Sequence, residues 1–219
     1  MIKNKKILIG IILVVVGVVI GIIVGINSGN SKLAKYADNT KIGDKTVSYR
    51  LDLRIYGTFN RENIRKSVVI DNYKNTDKTV SISGLENLKI VETTYILKNK
   101  KYYSVVNNKL KEVKGIPYED TDIYLNGVRK AKDLSSPTTK KNGDTEYTVY
   151  TGKVGKNVIN KMLTATDLKS TINKDAKAEI WLTKDDRVYR VYYTIDDLTI
   201  FATYFSYDSI KPISLELYK

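Results

Sequence analysis

Thr46-Val47-Ser48-Tyr49-Arg50-Leu51-Asp52-Leu53-Arg54-Ile55-Tyr56-Gly57-Thr58-Phe59 is the stretch on which the reading of this chain turns. Val47, Tyr49, Leu51, Leu53, Ile55 and Phe59 alternate with Ser48, Arg50, Asp52, Arg54, Tyr56 and Thr58. A period of two places the apolar set on one face of a strand and the polar set on the other, so this is a strand with one buried and one wet side. Similar segments follow at short intervals. Ile64–Tyr73 turns at residues 72–77 into Lys78–Ser83, which Gly84 closes. Ile90–Leu97, Lys101–Val106 and Leu110–Val113 are separated by the turns Lys98-Asn99-Lys100 and Asn107-Asn108-Lys109, which makes a meander. After Glu146–Val154 the C-terminal part repeats the theme. Ala176–Thr183 and Arg187–Ile195 flank Lys184-Asp185-Asp186, Leu198–Tyr207 follows Asp196-Asp197, and Ile213–Leu217 reads as a short last strand behind Pro212.

Two stretches break the period. Residues 119–132 read as a helix capped by Asp120 or Thr121, with Ile123, Leu125 and Val128 facing inward and Gly127 arguing against it. In residues 156–165, which Gly155 opens, Val158, Ile159, Met162 and Leu163 form a one-sided stripe. Leu134–Gly143 reads as a polar loop. About eight to ten strands with two helices define an α+β fold: a curved antiparallel half-barrel sheet with two covering helices.

Upstream, Lys3, Lys5 and Lys6 precede an apolar run from Ile7 to Ile26. Twenty such residues span about 30 Å as a helix, the thickness of a bilayer core. A secretory signal has a shorter apolar region, of about 7–15 residues, and a small-residue cleavage site; only Asn27-Ser28-Gly29-Asn30 follows here. A retained anchor is therefore the expectation and a cleaved signal the alternative. The lysines keep residues 1–6 in the cytoplasm and send the rest outside. The expected organisation is a tail at 1–6, a transmembrane anchor at 7–26, a linker at 27–44 and an extracytoplasmic domain at 45–219. Gly17, Gly21 and Gly25 stand at G-x-x-x-G spacing. That spacing suits a helix-packing face and dimer formation in the membrane, or ordinary membrane-helix composition.

The net charge of +13 leaves +9 once the lysines of residues 1–32 are set aside. A basic exported domain favours anionic partners such as lipid headgroups or a wall polymer. Acids are mixed among the lysines, so no nucleic-acid partner is expected. The zero cysteine count excludes disulfides and thiolate chemistry and suits a bacterial cell surface. With no histidine, no G-x-S-x-G and no Ser-x-x-Lys, the chain reads as a non-enzyme without metal or cofactor. Asp120 with Asp122, Asp185-Asp186 and Asp196-Asp197 fall where aspartates cap turns and helices rather than where they do acid–base work. Seventeen tyrosines against three phenylalanines are strand formers, with sheet-face contacts to glycans or peptides the alternative.

Three segments resemble a known family. Residues 94–103 with 107–111 look like the central hairpins of the LolA-like lipoprotein-binding fold, in its LprG and LppX form. Residues 178–191 look like its late strand-turn-strand, and Ala202–Ile210 with Pro212 like its closing strand. The resemblance implies a half-open barrel whose apolar concave face, covered by helices, holds acyl chains or lipidated proteins. Members from Gram-positive bacteria carry a lipidated Cys; this chain has none, and the Ile7–Ile26 helix would take its place. Leu51, Leu53, Ile55, Ile180, Leu182, Val191, Ile200 and Tyr204 are expected to line such a cavity from the sheet, with Val158 and Met162 lining it from the helix. The same residues would also make a filled core. The function expected is tethered binding of a lipid, lipoprotein or other amphiphile. The alternative is an interaction module for an anionic wall polymer or a partner membrane protein.

Overall fold

The computed structural model describes residues 31–59, 61–74, 77–86, 89–166, 168 and 171–218. The expected anchor, its orientation and the Gly17–Gly21–Gly25 face lie outside the described residues. Among those described, no helix is long and apolar enough to cross a membrane.

The sheet is built from two meanders. In the first, β1 (Ser48–Phe59), β2 (Glu62–Tyr73), β3 (Asp77–Glu86), β4 (Lys89–Lys98), β5 (Lys101–Val106) and β6 (Lys109–Val113) pair in sequence. A short helix at Asp122–Arg129 lies on the connection to the opposite edge. There β7 (Thr138–Asn142) starts the second meander, followed by β8 (Thr145–Val154), β9 (Ala176–Leu182), β10 (Val188–Ile195) and β11 (Leu198–Phe205). β11 returns to pair antiparallel with β1, giving one eleven-stranded sheet with β6 and β7 at its edges. The sheet is curved and open, an α+β half-barrel.

Three helices cover the concave face: α1 (Ala34–Thr40), α2 (Asp122–Arg129) and α3 (Lys156–Ala165). α2 packs between α1 and α3, and α1 also touches β10. α1 corrects the sequence reading, which gave residues 27–44 to a linker. Leu33, Ala37 and Thr40 recur at i, i+4 and i+7 and are buried at the interface. Thr40 Oγ1 accepts the Val188 N–H at 2.7 Å, tying this segment to the sheet. Two further corrections concern ends. Thr138–Asn142, expected within a polar loop, is an edge strand, exposed throughout and bearing Lys140 and Lys141; charge there discourages pairing with other chains. Ile213–Leu217 is not a strand: Leu215–Leu217 is a 3₁₀ turn. Val47, expected on the buried face, lies before β1 and is 46% exposed.

Alternation holds along β1 itself. Tyr49, Leu51, Leu53 and Ile55 are 0–2% exposed, whereas Arg54 and Tyr56 face solvent. Leu53→Asp buries a charge in this row and is expected to cost about 3 kcal/mol or more. Arg54→Ala loses only an exposed ion pair with Asp52 and should stay within about 0.5 kcal/mol. Urea denaturation followed by the fluorescence of the single tryptophan, Trp181, separates the two; equal destabilisation would reverse the facing of β1.

Candidate functional site

Register assembles the concave face in rows. Val68, Leu53, Ala202, Val191, Ile180 and Tyr150 are successive cross-strand partners from β2 to β8. Beside them run Tyr95, Val80, Ile70, Leu51 and Tyr204, and in β1 and β11 Ile55 faces Ile200. The structure therefore brings together the sheet residues singled out in the sequence: Leu51, Leu53, Ile55, Ile180, Leu182, Val191, Ile200 and Tyr204 all join one core with Met162 of α3, and Val158 packs half-buried at its margin. Except for Val158, each is at most 1% exposed. A void large enough for water would leave such side chains accessible, so this core is filled.

Side chains that the sequence reading did not single out hold the helices to the sheet. Tyr193 of β10 donates its hydroxyl to Tyr124 O in α2 at 2.6 Å. Gly127 makes this approach possible: a Cβ there would lie 2.2 Å from the Tyr193 hydroxyl. The glycine that weakened the helix reading is thus the residue that lets α2 sit on the sheet. Tyr49 and Thr121 share a hydrogen bond of 2.9 Å at the start of α2, and Lys66 donates to Thr166 O beyond the end of α3 at 2.7 Å. Two phenols at the contact between roof and sheet have no partner among the described residues: the hydroxyls of Tyr124 and Tyr204 are buried and unsatisfied. Burial pushes both phenols well above their ordinary pKa, so they stay protonated donors.

Toward the start of β1 the concave face turns polar. Tyr49, Asn72, Lys78, Leu97 and Tyr102 form the next cross-strand row. Asn72, Lys78 and the head of α2 enclose a cavity of about 310 Å³. Burial lowers the Lys78 pKa to about 8, against the pull of Glu119 and Asp120.

The convex face carries a different chemistry. A register shift in β10 between Val188 and Arg190 presents both Tyr189 and Arg190 outward while Val188 and Val191 stay inside. Arg190 lies over the rings of Tyr189, Phe201 and Trp181 at 4.8, 5.2 and 5.6 Å. Tyr147 stacks on Tyr189 at 4.2 Å. Next to this cluster, Arg54, Tyr56, Arg65, Tyr192 and Phe201 line an open groove of about 830 Å³, and no carboxylate stands among its described lining residues. The chain carries a trace of this shift that the sequence reading did not use: Val188 and Val191 stand three residues apart, which breaks the period of two. The aspartate pairs stand at turns or caps: Asp120 Oδ1 accepts the Asp122 N–H at 3.0 Å, and Asp186 and Asp196 have the positive φ of turn residues.

The arrangement, a curved open sheet with a helix cover, is a fold shared with solved structures. The chain superposes on LprF from Mycobacterium bovis with a TM-score of 0.57 at 11% identity, covering 84% of this chain and 93% of that one. It superposes on the lipoprotein LppX from Mycobacterium tuberculosis with a TM-score of 0.54 at 15% identity, covering 84% and 97%. At these identities the likeness is one of fold. No family model and no curated protein matches the chain.

Two substitutions test the geometry. Gly→Ala in a helix ordinarily stabilises by up to about 1 kcal/mol, but Gly127→Ala should destabilise by about 1–3 kcal/mol through collision with Tyr193; a gain in denaturation midpoint would contradict the packing. Lys78 gives a pH signature. Between about pH 8 and the ordinary lysine value of 10.5 the native state holds fewer protons than the unfolded chain, so stability lost to this lysine at neutral pH returns as pH rises. Lys78→Met should raise the denaturation midpoint at pH 7, with a smaller gain at pH 10.

Proposed function

We propose that this chain is a non-catalytic envelope protein that takes an amphiphile (a lipid, a lipoprotein or a lipidated wall precursor) between the concave sheet face and its helix roof. The observation that carries this reading is the pair of hydroxyls, Tyr124 and Tyr204, buried in the core without a partner among the described residues. A core serving stability alone gains nothing from them, since each unsatisfied hydroxyl costs about 1–3 kcal/mol and phenylalanine would avoid that. An ester or amide carbonyl entering with an acyl chain would give both donors an acceptor. The filled core is then the closed form, and uptake requires the roof to lift. Each buried methylene contributes about 0.8 kcal/mol toward that step. The fold shared with the lipoprotein LppX supports the same reading. On this proposal Ile7–Ile26 tethers the domain outside the membrane, where such ligands reside, and Gly17, Gly21 and Gly25 provide a possible dimer face in the anchor.

A second reading is favoured by the convex groove. Its arginines and aromatic rings, without acids among the described lining residues, suit an anionic wall polymer or an acidic face of a partner membrane protein. Binding of that kind falls steeply with salt, whereas acyl burial does not.

Native mass spectrometry of the full-length protein released from membranes tests the first reading. Wild-type protein should retain an acyl-bearing species. Val158→Trp, which fills the margin of the core beneath α3, should lose it while keeping the Trp181 fluorescence of the folded state. Unliganded mass alone, or the same species on both proteins, would bring the groove forward. The tether is checked separately. The chain should stay with membranes through a carbonate wash and be cut by protease added outside intact cells; release of a soluble form beginning near Asn27 would mark a cleaved signal instead.

A further inference from the structure

The cavity at the polar end of the concave face is lined by two buried polar atoms, a donor and an acceptor, that have no partner among the described residues. Asn72 is 3% exposed and its Nδ2 has no partner, although it lies in the inward row between Tyr49 and Lys78. Asp77, 6% exposed, lines the same space; one carboxylate oxygen pairs with Lys98 and the other, Oδ1, has no partner. Lys78 reaches across to the carbonyl of Glu119, and Lys41 stands 3.8 Å from Asp122 on the far wall. An amide donor, lysines and an unsatisfied carboxylate oxygen line one space of about 310 Å³ and ask for opposite things. A simple anion leaves Asp77 unanswered, and a simple cation leaves Asn72 unanswered and is repelled by Lys78, which already donates to Glu119 O. One small molecule carrying both charges answers all three, and the volume is at the lower end of the range for small-ligand sites.

We propose that this cavity binds a zwitterionic group, its anionic end on Asn72 and Lys78 and its ammonium on Asp77. The cavity is preformed and stands apart from the filled apolar core, so the inference does not need the roof to lift. Lys78 fits the role, since an ammonium held at a cost in stability is the kind of group a binding site retains. Two sources share this chemistry: the headgroup of an aminophospholipid and a free amino acid.

Calorimetry on the full-length protein in detergent distinguishes them. The probes are glycerophosphoethanolamine, lysophosphatidylethanolamine and L-alanine, with glycerol 3-phosphate and ethanolamine as single-charge controls. The expected result is saturable binding of at least one zwitterion, roughly tenfold or more tighter than either control. Lysophosphatidylethanolamine binding tighter than glycerophosphoethanolamine identifies a lipid headgroup; L-alanine binding tighter than both identifies a free zwitterion. Asp77→Asn and Lys78→Met should each weaken binding by roughly tenfold. Lys78→Met is expected to be more stable than wild type, so its loss of binding cannot be put down to unfolding. No saturable binding of any zwitterion up to about 10 mM, equal binding of glycerol 3-phosphate, or wild-type affinity in both variants would overturn the proposal. Failure of every zwitterion to bind leaves the acyl-bearing species sought by mass spectrometry untouched, since its loss with Val158→Trp reads the apolar core.

Discussion

Pairing of Arg50–Gly57 with Leu198–Phe205 joins two meanders that are otherwise local. Hairpin follows hairpin from β1 to β6 and again from β7 to β11, and each turn fixes only its own neighbours. The β1–β11 register is set by residues about 150 positions apart in sequence, and it is what makes the concave face continuous: it puts Leu51 beside Tyr204, Leu53 beside Ala202 and Ile55 beside Ile200. A slip of one residue would send one half of that face to solvent while the other stayed inside. The helices depend on it in turn. α1 packs on β10 and its Thr40 hydroxyl accepts the Val188 N–H, while α2 begins against Tyr49 of β1. The roof thus bridges both meanders and holds its place only when they are joined.

Three short helices over so wide a sheet are a modest lid. Isolated helices of 7, 8 and 10 residues have little stability of their own and take it from the face they cover. Their polar ties include Tyr193 through the gap at Gly127, Tyr49 to Thr121, Lys66 to Thr166, and Arg129 bridging Asp38 and Asp122. Segments secured in this way open at a lower free energy than the strands beneath them. A ligand that occupies the interior has only to favour the open form by more than those ties and the displaced apolar contacts oppose it.

Much of the sheet was legible because its signal is local. The alternation of residues 49–55 and the stripe at Val158, Ile159, Met162 and Leu163 each bury one side of one element, and that is enough to fix their facing. The polar turns at Asn99 and Asn107 carry the positive φ that ends a hairpin. The misses have physical reasons of another kind. α1 is seven residues long and its buried face is only Leu33, Ala37 and Thr40, too small an apolar surface to announce a helix. Gly127 argued against α2 from propensity, whereas a tertiary contact with Tyr193 decides the position. β7 has no buried side chain at all, and its pairing comes wholly from β8. The ten residues expected to line a cavity were brought to one place, but periodicity reports which side chains face inward and is silent on whether space remains between them.

The abundance of tyrosine over phenylalanine can be understood from where the hydroxyls go. Propensity for strands would be served about equally by either residue, so the oxygen must be accounted for separately. At the margins of the roof it ties elements together: Tyr49 to Thr121, Tyr193 to Tyr124 O, and Tyr207 to Val188 O. On the convex face it meets solvent or other polar groups, as Tyr189 does with Asn142 at 2.7 Å. Tyr124 and Tyr204 follow neither pattern. Burial pushes both phenols up, and Tyr124 is one of the tyrosines that push Tyr204 further; neither hydroxyl has an acceptor among the described residues. Replacing them with phenylalanine separates the possible reasons. If the hydroxyls serve only packing, Tyr124→Phe and Tyr204→Phe should stabilise the chain by about 1 kcal/mol each and leave any retained acyl species unchanged. If they meet a ligand carbonyl, the same substitutions should still stabilise the unliganded protein but cut the retained species, because the donors are satisfied only in the bound form.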